Sequence, residues 1–163
     1  MAGEKGKLCD RTEALFALSE KYGSDAAFVP TGLLLLCRGT AAIPKPSPIS
    51  TCDRRISSPT TIYVVAGHMH LLGESIRVEL DPGTPRAKVL LDIPSWDFHW
   101  QNAYTLAKPV LAEPGDVVRV TCRYSVHKRM HGGHGVPSTP RYVLWGEGTT
   151  DEMCLGILQV TRP

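Results

Sequence analysis

Two histidines with one residue between them, His68 and His70, are the side chains whose type and spacing most directly suggest chemistry. They follow the apolar run 62–66, which predicts a buried β-strand. Because side chains alternate between the two faces of a strand, the imidazoles share one face and Met69 points to the other. Both rings can therefore turn toward a single metal ion, and the alternative is a half-exposed polar strand face.

A second pair of residues, Met153 and Cys154, brings sulfur chemistry near the other end of the chain. Because they are adjacent, their side chains face opposite ways on an extended backbone. A thioether binds Zn²⁺ poorly and Cu(I) well, so two histidines and Met153 make a ligand set for copper. The alternative for Met153 is ordinary packing in the core.

The remaining histidines stand in two other stretches of the sequence. His99 belongs to the aromatic cluster 96–101, which either closes one end of a core or forms a substrate wall. In the second case His99 would be a ligand or a proton-transfer group. His127, His131 and His134 lie together in a glycine-containing segment. We predict a solvent-exposed basic loop there, with accessory metal binding as the alternative.

The elements that must position these residues are predicted to be mainly β-strands. Helical periodicity is scarce, glycine (15) and proline (13) are plentiful, and short apolar runs alternate with turn signals. This pattern is typical of an all-β sandwich or barrel. One short helix is predicted over 11–22 with Gly23 as its C-terminal cap, then a strand over 33–37 and a loop or extended connection over 39–59.

The rest of the chain predicts a succession of strands separated by turns. The first pair after the histidines forms a hairpin around the Asp81-Pro82-Gly83 turn, and the next pair flanks the turn at Pro114-Gly115. A final apolar strand follows near the C-terminus. The predicted strands cover 74–80, 87–92, 110–113, 117–124 and 157–160.

Composition limits the class of protein. The chain has 163 residues, enough for one domain with a sizeable core, and a net charge of only +2. We therefore expect no nucleic-acid partner, and no apolar run approaches the roughly 20 residues that span a bilayer. Five cysteines without a Cys-x-x-Cys motif favour an oxidising compartment, with two disulfides and one thiol left over. We predict a secreted or periplasmic protein whose signal peptide has been removed.

Three segments together carry a family resemblance: GHMHLLG at 67–73, PGDVVRVTCRY at 114–124 and GTTDEMC at 148–154. They resemble the C-terminal, catalytic-copper domain of the copper type II ascorbate-dependent monooxygenases, the family of peptidylglycine α-hydroxylating monooxygenase and dopamine β-monooxygenase. The resemblance implies an antiparallel jelly-roll-like β-sandwich. It also implies that His68, His70 and Met153 bind the catalytic copper.

The resemblance extends to the cysteines. It implies a disulfide between Cys122 and Cys154, the residue next to the predicted methionine ligand. A second bond is expected between Cys37 and Cys52, while Cys9 is the alternative partner and a free Cys52 is the third option. The predicted domain is 1–163, with an N-terminal extension over 1–50 and a family-like core over 51–163.

The family's enzymes carry a second copper, bound by three histidines in another domain, and residues 1–50 contain no histidine. We therefore expect a single-domain protein with one copper, O₂ or peroxide as oxidant, and ascorbate or another external reductant. A small molecule or peptide is the expected substrate, and a separate domain or protein would supply electrons. Without that supply, turnover is expected to be slow and to release peroxide. The alternatives are a non-catalytic copper-binding, storage or delivery module, and a β-sandwich with a vestigial metal motif.

Overall fold

Seven strands dominate the part of the chain that the computed structural model describes, residues 19–20, 23, 48–138 and 146–162. A single short helix within these ranges, α1, covers Val126–His131. The strands are β1 (Ile49–Arg55), β2 (Thr60–Met69), β3 (Gly73–Leu80), β4 (Lys88–Ile93), β5 (Ala103–Ala112), β6 (Val117–Tyr124) and β7 (Cys154–Thr161).

The strands form two sheets in which every ladder is antiparallel. Sheet 1 has the order β1-β6-β3-β4, and sheet 2 has the order β5-β2-β7. Among these strands, β3 and β4 are the one pair that is consecutive in the chain and also hydrogen-bonded to each other. Every other connection between consecutive strands crosses from one sheet to the other. This is the predicted antiparallel β-sandwich. None of the described helical residues belongs to a helix long and apolar enough to cross a membrane.

The core lies between the sheets and follows the predicted alternation. On β3 the apolar residues Ile76, Val78 and Leu80 are all buried, as the sequence pattern requires. On β2, Val65 and Met69 are fully buried in the same phase, and a register shift between Ile62 and Val64 brings Ile62 into the core as well. The hydrophobic effect thus holds the core strands by one face.

Two glycines let the sheets approach one another where β2 nears its end. Gly67 of β2 and Gly156 of β7 are partners in the ladder. A Cβ added at Gly67 would lie 2.9 Å from Ile76 Cγ2, and one at Gly156 would lie 2.5 Å from Val120 Cγ2. Both contacts are with side chains of sheet 1, so only glycine fits this close approach at either position.

A disulfide joins the two sheets. Cys122 in β6 is fully buried, and it is bonded to Cys154, the first residue of β7, with the Cα atoms 5.9 Å apart. This confirms the expected pair. Cys52 is also disulfide-bonded. Its predicted partner Cys37 and the alternative Cys9 lie outside the described residues, so that pairing stays a prediction.

The prediction of a loop or extended connection over 39–59 is wrong for its described part, which contains β1. This strand pairs with β6 along its whole length. Its exposed side chains are polar, and Arg119 donates to both carboxylate oxygens of Asp53 at 2.6 Å. An edge strand of this kind lacks apolar alternation, which is why its sequence resembles a loop.

The strands flanking Pro114-Gly115 were predicted as a pair, and the structure corrects this. The first is β5, which begins at Ala103 and pairs with β2, while β6 pairs with β1 and β3. The intervening turn bonds instead to Ile56, which donates to the carbonyl of Asp116 (2.8 Å) and accepts from the N–H of Gly115 (2.9 Å). The turn is therefore a crossing between the sheets.

The predicted basic loop after β6 begins as a helix, and the sequence prediction is wrong there. Ser125 caps α1 by accepting a hydrogen bond from the N–H of Lys128 at 3.2 Å. The helix ends at Gly132, whose φ is +74° and whose N–H donates to the carbonyl of Lys128. The glycines fall after the helix and end it.

Most of the predicted N-terminal helix and the whole predicted strand over 33–37 lie outside the described residues. Ser19 and Glu20 are helical, and the N–H of Gly23 donates to the carbonyl of Ser19 at 2.9 Å. With a φ of +91°, Gly23 has the conformation of a helix C-terminal cap, as its position predicts.

Replacing both Cys122 and Cys154 by serine should lower the free energy of unfolding by about 3–4 kcal/mol, because the bond restricts the unfolded chain between positions 32 residues apart. Urea unfolding measures this difference, and peptide mapping without reduction tests the bond itself. The oxidised wild-type protein is the reference, and reducing it should lower its stability at least as much as the double substitution does, because reduction also breaks the bond of Cys52. Equal stability of the oxidised protein and the double variant would contradict this account.

Candidate metal centre

The predicted histidine pair lies at one end of sheet 2. Met69 is fully buried, whereas His68 is half-buried on the opposite face of β2, as strand alternation requires. His70 follows directly after the strand and is 5% exposed. The two imidazole centroids are 5.0 Å apart, with the ring planes nearly perpendicular at 87°. The spacing predicted from the sequence therefore brings both rings together.

The buried carboxylate of Glu152 joins this pair to the segment that precedes β7. One of its oxygens, Oε2, accepts from the backbone N–H of His70 at 3.0 Å and from that of Met153 at 3.1 Å. The other, Oε1, accepts from the N–H of Leu72 at 2.6 Å. Residues that are 80 or more positions apart in the chain thus converge on one side chain. Met153 itself is buried at 7% exposure.

Glu152 is 1% exposed, and this burial raises the pKa of its carboxyl group to about 7. The backbone N–H groups that it accepts from, those of His70, Leu72, Met153 and Gly73, oppose the rise. A buried carboxyl group is tolerated here because its oxygens are satisfied by these donors. The GTTDEMC motif predicts a role for Met153 but none for Glu152. The available signal was an acidic residue two positions before the apolar final strand, β7.

His70 carries a buried nitrogen with no hydrogen-bond partner in the described structure, Nδ1. The indole Nε1 of Trp96 is likewise buried without a hydrogen-bond partner among the described residues. That nitrogen is only a donor, whereas an imidazole nitrogen can present a lone pair to a metal. Burial lowers the pKa of His70 and the nearby His68 lowers it further, while backbone carbonyls of Asp151 and Gly148 oppose the shift. The neutral ring, which is the form that binds metals, is therefore favoured.

His68 is oriented by Gln101. The imidazole Nδ1 lies 2.7 Å from Gln101 Oε1, and Gln101 Nε2 donates to the backbone carbonyl of Phe98 at 2.7 Å. Because the amide nitrogen is engaged by Phe98, the oxygen faces His68 and the Nδ1–H must be the donor. The lone pair of His68 is then on Nε2. Gln101 belongs to the aromatic cluster 96–101, in which His99 was the predicted site residue.

The aromatic cluster 96–101 contributes both to the core and to the surroundings of the histidine pair, and its role as a substrate wall stays a prediction. Trp96 is buried and closes the core against Gly73, where an added Cβ would lie 2.4 Å from Trp96 Cδ1. Phe98 lies edge-on to His70, with ring centroids 6.1 Å apart, and so forms a wall beside the histidine pair. His99 is exposed, and its ring lies edge-on to Phe98 with the centroids 5.5 Å apart.

The other predicted accessory histidines lie after β6. His127 and His131 belong to α1, with ring centroids 4.9 Å apart, and His134 lies in the following turn with a φ of +52°. Within the described ranges, no group of three or more His, Cys, Asp or Glu side chains is arranged to hold a metal ion. The predicted ligand set of His68, His70 and Met153 is not a group of this kind, because its third donor would be a methionine thioether.

A family model described as the C-terminal domain of copper type II ascorbate-dependent monooxygenases matches residues 46–159, which include His68, His70, Met153 and the Cys122–Cys154 bond. No curated protein matches the chain.

Glu152→Gln should destabilise the fold and weaken metal binding together. The glutamine NH₂ group would face backbone N–H donors, and each buried N–H left unpaired costs about 1–3 kcal/mol. Chemical unfolding of the metal-free protein and a copper titration measure the two effects. Glu113→Gln, an exposed change at the opposite end of the sandwich, is the matched control. An unchanged unfolding free energy in Glu152→Gln would refute the role assigned to this carboxylate.

Gln101→Leu should weaken copper binding by about 10- to 100-fold, because His68 loses the acceptor that fixes its proton on Nδ1. Gln101→Glu keeps an acceptor at that position and should restore most of the affinity. Gln159→Leu, which changes an exposed glutamine of β7, is the control. Competition with a copper chelator gives the affinities. If Gln101→Leu and Gln159→Leu bind copper equally well, then Gln101 does not position His68.

Proposed function

The chain belongs to the copper type II ascorbate-dependent monooxygenase family, through its C-terminal domain, and from that membership we propose that it is an oxygen-activating copper domain. His68, His70 and Met153 bind one copper ion, and the domain oxidises a small-molecule or peptide substrate. The observation that carries this proposal is the sharing of Glu152 Oε2 by the backbone amides of His70 and Met153 (3.0 and 3.1 Å).

The residues fit copper by two independent observations. The unpartnered Nδ1 of His70 is a buried polar atom whose isolation costs about 1–3 kcal/mol unless something binds it. A metal ion is a suitable partner because burial keeps this ring neutral. The third donor is a thioether, which favours Cu(I) over Zn²⁺.

The surrounding side chains have separate tasks in this proposal. Gln101 holds His68 with its proton on Nδ1 and its lone pair on Nε2. Phe98 shields His70 from one side, while the half-buried position of His68 leaves the outer face of sheet 2 open to substrate. Bound copper would supply the redox chemistry on O₂ or peroxide, with ascorbate as reductant.

The setting of this activity is also part of the proposal. Three disulfide-bonded cysteines, Cys52, Cys122 and Cys154, support a secreted or periplasmic location, where such bonds persist. Because oxygenation needs two electrons and we assign one copper to His68, His70 and Met153, a separate domain or protein is proposed as the electron donor.

X-ray absorption of the reduced protein, loaded with less than one equivalent of Cu(I), tests the ligand set. We expect two nitrogen ligands and one sulfur ligand, because a thioether favours Cu(I). Met153→Ala should remove the sulfur and weaken Cu(I) more than Cu(II), and His68→Ala should abolish tight binding. Met130→Ala and His99→Ala, both exposed, are the matched controls. A sulfur signal that survives Met153→Ala would refute the assignment.

Ascorbate-dependent oxygen consumption separates the proposed enzyme from its alternative. The copper-loaded wild type should consume O₂ with ascorbate, and His68→Ala should not exceed the background of free copper. Tight Cu(I) binding without any oxygen consumption would instead identify a copper storage or delivery module.

A further inference from the structure

The short helix α1 carries two histidines that the proposed copper centre does not use. His127 and His131 stand four residues apart, with ring centroids 4.9 Å apart and planes inclined at 46°. Residues four apart lie on the same face of a helix. Both side chains are exposed in the described structure. From this geometry we propose that His127 and His131 form a second metal site, which binds one borderline divalent transition ion, with Cu²⁺ foremost.

The spacing is suitable for chelation. Two histidines at positions i and i+4 of a helix are a recurrent bidentate arrangement for Zn²⁺. Neutral imidazole also suits Cu²⁺ and Ni²⁺, and affinity for such sites rises toward Cu²⁺ along the divalent series. The remaining coordination positions would be filled by water, because the pair faces solvent.

The helix is held in place before any metal binds. A helix of six residues is unstable alone. The N–H of Ser125 donates to the carbonyl of Leu72 at 2.8 Å, and Ser125 Oγ caps the first turn. At the other end, the N–H of Gly132 closes the last turn on Lys128. The two imidazoles are therefore brought together by the fold, so less entropy is lost on binding.

The charges around the pair select the class of ion. The Lys128 ammonium is directed away toward the carbonyls of Leu71 and Gly73, at 3.2 and 3.5 Å. Lys128 and Arg129 nevertheless make α1 basic, which disfavours ions held mainly by charge, such as Mg²⁺ and Ca²⁺. An ion that binds imidazole nitrogen strongly is favoured instead.

The test uses Cu²⁺ alone as probe and the full chain. His68→Ala/His70→Ala removes the first proposed site and should leave about one Cu²⁺ per chain, with the electron paramagnetic resonance spectrum of nitrogen ligation. Adding His127→Ala and His131→Ala should abolish this binding. Adding His134→Ala instead, an exposed histidine just beyond the helix, should leave it unchanged. In the wild type, the His127→Ala/His131→Ala change should remove one Cu²⁺ and spare Cu(I) binding.

A second readout does not depend on copper stoichiometry. Zn²⁺ bound across His127 and His131 should slow amide hydrogen exchange in α1, and His131→Ala should remove that protection. Since both side chains are exposed, the variants should unfold at the wild-type temperature without metal. Undiminished Cu²⁺ binding after loss of both histidines would overturn the proposal, as would an equal loss in the His134→Ala control. If the copper site proposed at His68 and His70 proved wrong, the binding and exchange results expected for His127 and His131 would be the same.

Discussion

One buried carboxylate determines the arrangement at the functional end of this sandwich. Glu152 accepts hydrogen bonds from the backbone of two segments that are remote in the chain, one ending β2 and one entering β7. A buried acid is costly unless donors satisfy it, so the two segments must meet for the acid to be tolerated. The position of Met153 relative to His70 is therefore set by main-chain hydrogen bonds, and the proposed ligands do not need to position one another.

The disulfide and the core reinforce this arrangement from behind. Cys154 follows Met153 directly and is bonded to Cys122 of the opposite sheet. Because adjacent residues point in opposite directions, fixing Cys154 toward the core also fixes the direction of its neighbour. Met69 does the same for the histidines on either side of it, since its side chain is fully buried. In both segments, a side chain fixed in or against the core thus constrains the direction of the proposed ligand beside it.

The features that depend on the alternation of side chains along a strand could be predicted from local patterns in the sequence. The strand with Ile76, Val78 and Leu80 and the facing of His68 and His70 follow from period-two burial, which is visible in a single segment. The polar edge strand β1 and the capped helix α1 were missed because hydrogen bonds to distant partners hold them rather than apolar periodicity. Glu152 and Gln101 were missed for the same reason. Their partners lie 33 to 82 residues away, a relation that spacing alone does not reveal.

The facing glycines Gly67 and Gly156 have a consequence for how this fold can diverge. They set the thickness of the sandwich beneath the strand end that carries the histidines, since any larger residue would meet Ile76 or Val120. A descendant that kept His68, His70 and Met153 but had alanine in place of either glycine would have a shifted β2 or β7, and these side chains would be held at different angles. Inheritance of the metal-binding residues and inheritance of their geometry are thus separable, and the second depends on two positions that contribute no side chain at all.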